Sequence, residues 1–70
     1  MSEPVYQKIE VVGSSTTSIE EAIQAAVTRT AAASKGLRWF EVVEIRGNID
    51  NGKVAHWQVT LKLGINQDKN

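Results

Sequence analysis

The sequence contains no cysteine and a single histidine, His56. Disulfides and thiolate metal centres are therefore excluded as staples, and one imidazole cannot build a structural zinc site. Eight basic and eight acidic side chains cancel to zero net charge. Lys and Arg are scattered among Glu, without the basic stripe of a nucleic-acid binder. No apolar run reaches the length of a membrane-crossing helix. The opening MSEPVYQK has neither the basic start nor the apolar stretch of a signal peptide, so a cytoplasmic protein is expected. Catalytic groupings are missing as well. No serine, histidine and carboxylate are spaced as a triad, and regular alternation is expected to turn Glu41 and Glu44, three apart on a strand, to opposite faces. The chain does not read as an enzyme.

What remains is a 70-residue chain read as one domain over 1–70, with one modest core. Without covalent or metal staples, self-association is the route left to further burial. Val5 to Val12 alternates around Ile9 and Val11 and predicts a strand entered at Pro4. After GSSTT, Ser18-Ile19-Glu20-Glu21 fits a capping box, in which the Ser18 hydroxyl accepts the Glu21 amide and the Glu21 carboxylate returns to the Ser18 amide. Ile19, Ala22, Ile23, Ala26 and Val27 recur at helical spacing as one narrow stripe. Lys35-Gly36 is the expected stop, with glycine in the left-handed position.

Two further strands follow, about Leu37 to Arg46 and Val54 to Ile65, joined by a hairpin loop over Asn48 to Gly52 in which Asn51-Gly52 favours positive φ. The tail from residue 66 to 70 is expected to fray. The fold class is α+β with order β-α-β-β, and the neighbour of the first strand is left open. On the third strand Ala55, Trp57, Val59, Leu61 and Leu63 form one apolar face directed at the helix, which makes Trp57 a core residue. Phe40 and Val42 are its partners on the second strand. Trp39 then falls on the opposite face with Gln58, and regular alternation adds Val43 and Ile45 to that face. One helix covers one sheet face only, so this second face is expected to be an interface.

The pieces VYQKIEVVGSS, SIEEAIQAAVTRT, LRWFEVVEIRG and VAHWQVTLKLG resemble the dodecins, small flavin-binding proteins, over nearly the whole chain. The resemblance implies a three-stranded antiparallel sheet partly wrapped around one helix, and twelve such subunits in a hollow homododecamer. It implies flavin bound in pairs at two-fold axes, FMN first, with riboflavin or lumichrome as alternatives, and coenzyme A on the outer surface in some members. Such an assembly stores or buffers flavin and shields it from photochemistry without turnover. Carried over residue by residue, Trp39 is the stacking indole, Gln58 the amide at the ring edge, and Arg46 the cation near the phosphate. One departure stands out: relatives close with a phenylalanine and an arginine in a GFRLE-like ending, where this chain has Gly64-Ile65-Asn66-Gln67-Asp68. Phosphate affinity or cage stability is expected to be lower for it.

The chemistry suits these roles. An indole face is electron-rich and a flavin ring electron-poor, and a stacked indole can quench an excited flavin by electron donation. The Gln58 amide offers both a donor and an acceptor to the alternating edge of the ring. The Arg46 guanidinium fork matches phosphate. Two other readings compete. Trp39 could merely seal a subunit interface in a ligand-independent structural or interaction module. A small flavin-dependent enzyme would need an open redox face and access for a second substrate.

Overall fold

The computed structural model describes residues 3–67. The elements are β1 (Tyr6–Ser15), α1 (Ile19–Ala33), β2 (Leu37–Asp50) and β3 (Lys53–Asn66). All strand pairs are antiparallel and the sheet order is β1-β3-β2. The neighbour of β1, left open by the sequence, is therefore β3, which takes the centre.

Helix α1 begins where the cap places it, with the Glu21 amide donating to Ser18 Oγ at 3.1 Å. The return bond of the capping box is replaced. Ser15 Oγ accepts from Thr17 N–H at 2.9 Å and from Ser18 N–H at 3.4 Å, so the turn out of β1 satisfies the amide that Glu21 was expected to hold. At the other end the chain leaves the helix at Ser34 in extended backbone, its N–H donating to Thr30 O. Gly36 is not left-handed; among the described residues positive φ occurs at Asn51 and Gly52. Gly36 serves close approach instead: its carbonyl accepts the Asn66 amide at 2.8 Å, and a Cβ there would lie 2.7 Å from Asn66 O.

The core is small and lies between α1 and the middle of the sheet. Ala22 and Ala26 meet Val59, Leu61 and Leu63, with Ile9, Val11, Ile19, Ile23, Val27 and Leu37 packed around them. Register explains the grouping, since Leu63 faces Ile9 and Phe40, Leu61 faces Val11 and Val42, and Val59 faces Gly13 and Ile45. Gly13 lets the small-residue stripe press onto β1, because a Cβ at that position would strike the Ala22 carbonyl. The helix packs on β1 and β3, leaving β2 outside its cover beyond Leu37.

The hairpin is longer than expected: Asp50 pairs with Lys53 across a two-residue turn, Asn51 at φ 55° and Gly52 at φ 75°. Both positive angles match the twist of the flanking strands. The molecule measures 56 × 20 × 13 Å, the hairpin running on as a two-stranded arm past the end of β1. Trp57 lies in phase with the core face, as expected, but opposite Ser15 and Gly47 at the root of this arm. It is half-buried in a groove with Ile45, Gly47, Ile49 and Val54 and is not part of the core. The tail expected to fray from residue 66 is held at its start: Asn66 closes β3, Gln67 N–H donates to Val5 O at 2.8 Å, and the Gln67 side chain donates to Gln7 Oε1 at 2.9 Å. Residues 68–70 of that expectation lie outside the described residues.

Candidate functional site

Strand β2 is not regular. Its pairing with β3 shifts between Leu37 and Trp39, between Val42 and Glu44, and between Asn48 and Ile49. The middle shift decides the site. Val42 stands opposite Leu61 and Glu44 opposite Thr60, so Val43 is an extra, bulged residue and the alternation of β2 inverts beyond it. Ile45 accordingly faces Val59 on the helix side, which corrects its expected place beside Trp39. Arg46 moves the other way, onto the uncovered face directly opposite Gln58, with Ser14 of β1 beyond it in the same row.

The uncovered face therefore carries Trp39, Arg46 and Gln58 together, along with Lys8, Glu10, Glu41, Glu44 and Lys62. Among the exposed apolar side chains of β2, Phe40, Val42 and Ile45 lie on the helix side, where α1 does not reach them. The uncovered face is thus mainly polar and charged around one aromatic platform, with Val12 exposed between Glu10 and Ser14, while Phe40, Val42 and Ile45 sit on the reverse.

Trp39 is paired with Gly64. A Cβ at Gly64 would run into Cδ2, Cε2 and Cζ2 of the indole. Nearly equal approach to three atoms that include both ring-fusion carbons is contact with a ring face, so the indole lies flat across β3. The Tyr6 ring meets it at a centroid distance of 4.9 Å and an interplanar angle of 65°, an edge-to-face arrangement. Trp39 remains 39% exposed. One pair further along the face, Glu41 receives Lys8 Nζ at 2.8 Å. That hydrogen bond and the charge of Lys8, with a smaller contribution from Lys62, hold the Glu41 carboxyl below its ordinary value.

The candidate residues form two clusters on one face. Arg46 and Gln58 are cross-strand neighbours. Trp39 sits at the level of Gly64, six residues from Gln58 along β3, a span of ~20 Å at the rise of a β-strand. No single planar ligand joins the two clusters of one subunit. Among the described residues no group of three histidine, cysteine or carboxylate side chains could hold a metal ion, and no helix is long and apolar enough to cross a membrane. Sequence reasoning missed Gly64 and Tyr6 as parts of the platform. A glycine inside a strand, away from any turn, is the signal that marks close approach of another group.

The family model described as Dodecin matches residues 5–68. A curated relative, the dodecin of Thermus thermophilus, is 48% identical over 61 residues, covering 87% of this chain and 88% of that protein. The structure of dodecin from Streptomyces coelicolor superposes with a TM-score of 0.92 at 46% identity, covering all of both chains. Dodecin from Streptomyces davaonensis gives a TM-score of 0.91 at 40% identity, over 97% of this chain and 100% of its own.

Proposed function

This chain belongs to the dodecin family of flavin-binding homododecamers, and from that premise we propose that its flavin site is built across a subunit boundary, with Trp39 from one subunit and the Arg46–Gln58 pair from another. The chain binds flavin in a homo-oligomer that stores it and shields it from light, without catalytic turnover. The observation behind the split site is the ~20 Å that separates the two clusters on one face, against an isoalloxazine that must touch indole and amide at once. Trp39 stacks on the ring, Gln58 bonds its edge and Arg46 takes the FMN phosphate. FMN is read as the resident flavin, with riboflavin or lumichrome as the alternatives. The whole of 1–70 is taken as one domain working in the cytoplasm. Coenzyme A is a second, outer-surface ligand in this reading and is tested by its effect on native mass.

Mixed assemblies test the division of labour. Trp39→Ala subunits and Gln58→Ala subunits are refolded together and titrated with FMN, following flavin fluorescence. If each site draws on two subunits, random mixing restores about a quarter of the sites, although neither variant alone quenches FMN. No recovery in mixed particles of dodecameric mass would return all three residues to one subunit. A wild-type dodecamer that ignores micromolar FMN would sink the flavin reading itself and leave Trp39 a mere interface seal.

A further inference from the structure

We propose that Gly64 and Tyr6 are positioning residues for the flavin platform, a seat that fixes the Trp39 indole flat on β3 before a ligand arrives. The inference rests on the reading of Trp39 as the stacking residue and adds what holds that residue in place. An exposed tryptophan on an edge strand has no inherent reason to lie down: its two side-chain torsions allow the ring to stand upright or swing beyond the sheet edge. Two features of the uncovered face remove that freedom, and a third keeps the indole face clear.

The floor is Gly64. It is the cross-strand partner of Trp39, and its missing side chain is the space that the six-membered ring occupies. Any Cβ there would lift the ring from the backbone and tilt it. The brace is Tyr6, set against the indole at 65° and 4.9 Å. A ring at that angle restricts rotation of the indole about its long torsions. Its own place is set by pairing with Asn66, one strand end from the anchored Gln67. The third feature is the removal of a competitor. Lys8 stands directly opposite Gly64 on β1, where its ammonium could lie on the indole face, but Glu41 draws it away at 2.8 Å.

The outward face of the indole is then open and parallel to the sheet, the presentation that a planar ligand requires. Holding the platform in its bound orientation removes an ordering cost from each binding event. The seat therefore acts on affinity for flat aromatic ligands and on the geometry of the stack, not on phosphate recognition.

The test uses the intact oligomer in a Trp57→Phe background, so that tryptophan emission reports Trp39 alone. Tyr6→Phe keeps the ring and is expected to bind riboflavin within about twofold of the parent, whereas Tyr6→Leu and Gly64→Ala bind about tenfold more weakly. Tyr6→Leu should keep dodecameric mass while the anisotropy of apo Trp39 decays faster, a change that loss of fold or assembly would not produce. If Tyr6→Leu and Gly64→Ala bind like the parent while Trp39→Ala does not bind, the seat is refuted and the stacking role stands. If Trp39→Ala itself binds like the parent, the underlying reading fails and the seat with it. Should Gly64→Ala not assemble, the Tyr6 pair decides alone: Phe as weak as Leu would overturn the brace in favour of the hydroxyl.

Discussion

Arg46 distinguishes one flavin from another. Riboflavin and FMN share the ring that Trp39 and Gln58 recognise and differ in the phosphate, for which the exposed guanidinium is the matching group. Charged hydrogen bonds are worth roughly 1.5–3 kcal/mol, so Arg46→Ala is expected to weaken FMN about tenfold or more and riboflavin hardly at all. Parallel titrations with the two flavins check this, and equal losses would remove Arg46 from the phosphate. Glu41 gives a prediction in pH. Its carboxyl is held below the ordinary value by Lys8, so the pair stabilises the folded state above the ordinary carboxylate range and ceases to do so as pH falls through the lowered value. The difference in Tm between wild type and Glu41→Gln should be positive at neutral pH and vanish at strongly acidic pH. Both partners are half-exposed, so the difference is small and shrinks further with added salt. A difference that persists unchanged into strong acid would mean the pair does not titrate as drawn.

At the scale of elements, the bulge at Val43 carries the argument. It turns Arg46 toward Gln58 and Ile45 toward Val59. Deleting Val43 would restore plain alternation and exchange the faces of everything beyond it. The shortened protein should lose discrimination between FMN and riboflavin while Trp39, before the bulge, still quenches a stacked ring. Titration with both flavins, alongside native mass, reads this out, and unchanged FMN preference would show that the bulge does not aim Arg46. The same irregularity marks the limit of what the sequence disclosed. The helix and its Ser18 cap, the Asn51-Gly52 turn and the core row of Val59, Leu61 and Leu63 all follow from side-chain type and spacing, because each depends on neighbours within a few residues. The face of Trp39 was readable from alternation, but its seat opposite Gly64 was not, because the pairing also shifts between Leu37 and Trp39. The inversion at Val43 was not readable either, because one unpaired residue leaves no mark in composition and is defined only by what stands across from it. Trp57 shows the same limit: its phase was readable, but where α1 ends over the sheet is a tertiary fact.

For the whole molecule, the imbalance lies between a slight core and a large apolar surface. Only Ala22, Ala26, Val59, Leu61 and Leu63 are buried apolar side chains among the described residues, whereas Ile45, Ile49 and Val54 are 51%, 77% and 48% exposed. These three line the arm groove with Trp57 on the helix side of the hairpin, beyond any cover that this chain supplies. In an isolated subunit, Ile49→Lys would touch nothing and would be nearly neutral. If a second copy covers this groove in the homododecamer, a buried ammonium without a partner there costs several kcal/mol per interface. Ile49→Lys should therefore collapse native mass from dodecamer to small species and lower Tm, and it should abolish flavin binding although no flavin contact is altered. Because assembly and ligand binding are linked to folding by mass action, wild-type Tm should rise with protein concentration and with added FMN, while that of the variant follows neither. A fully dodecameric Ile49→Lys protein would show that the arm stays exposed to solvent and that the particle is held together elsewhere.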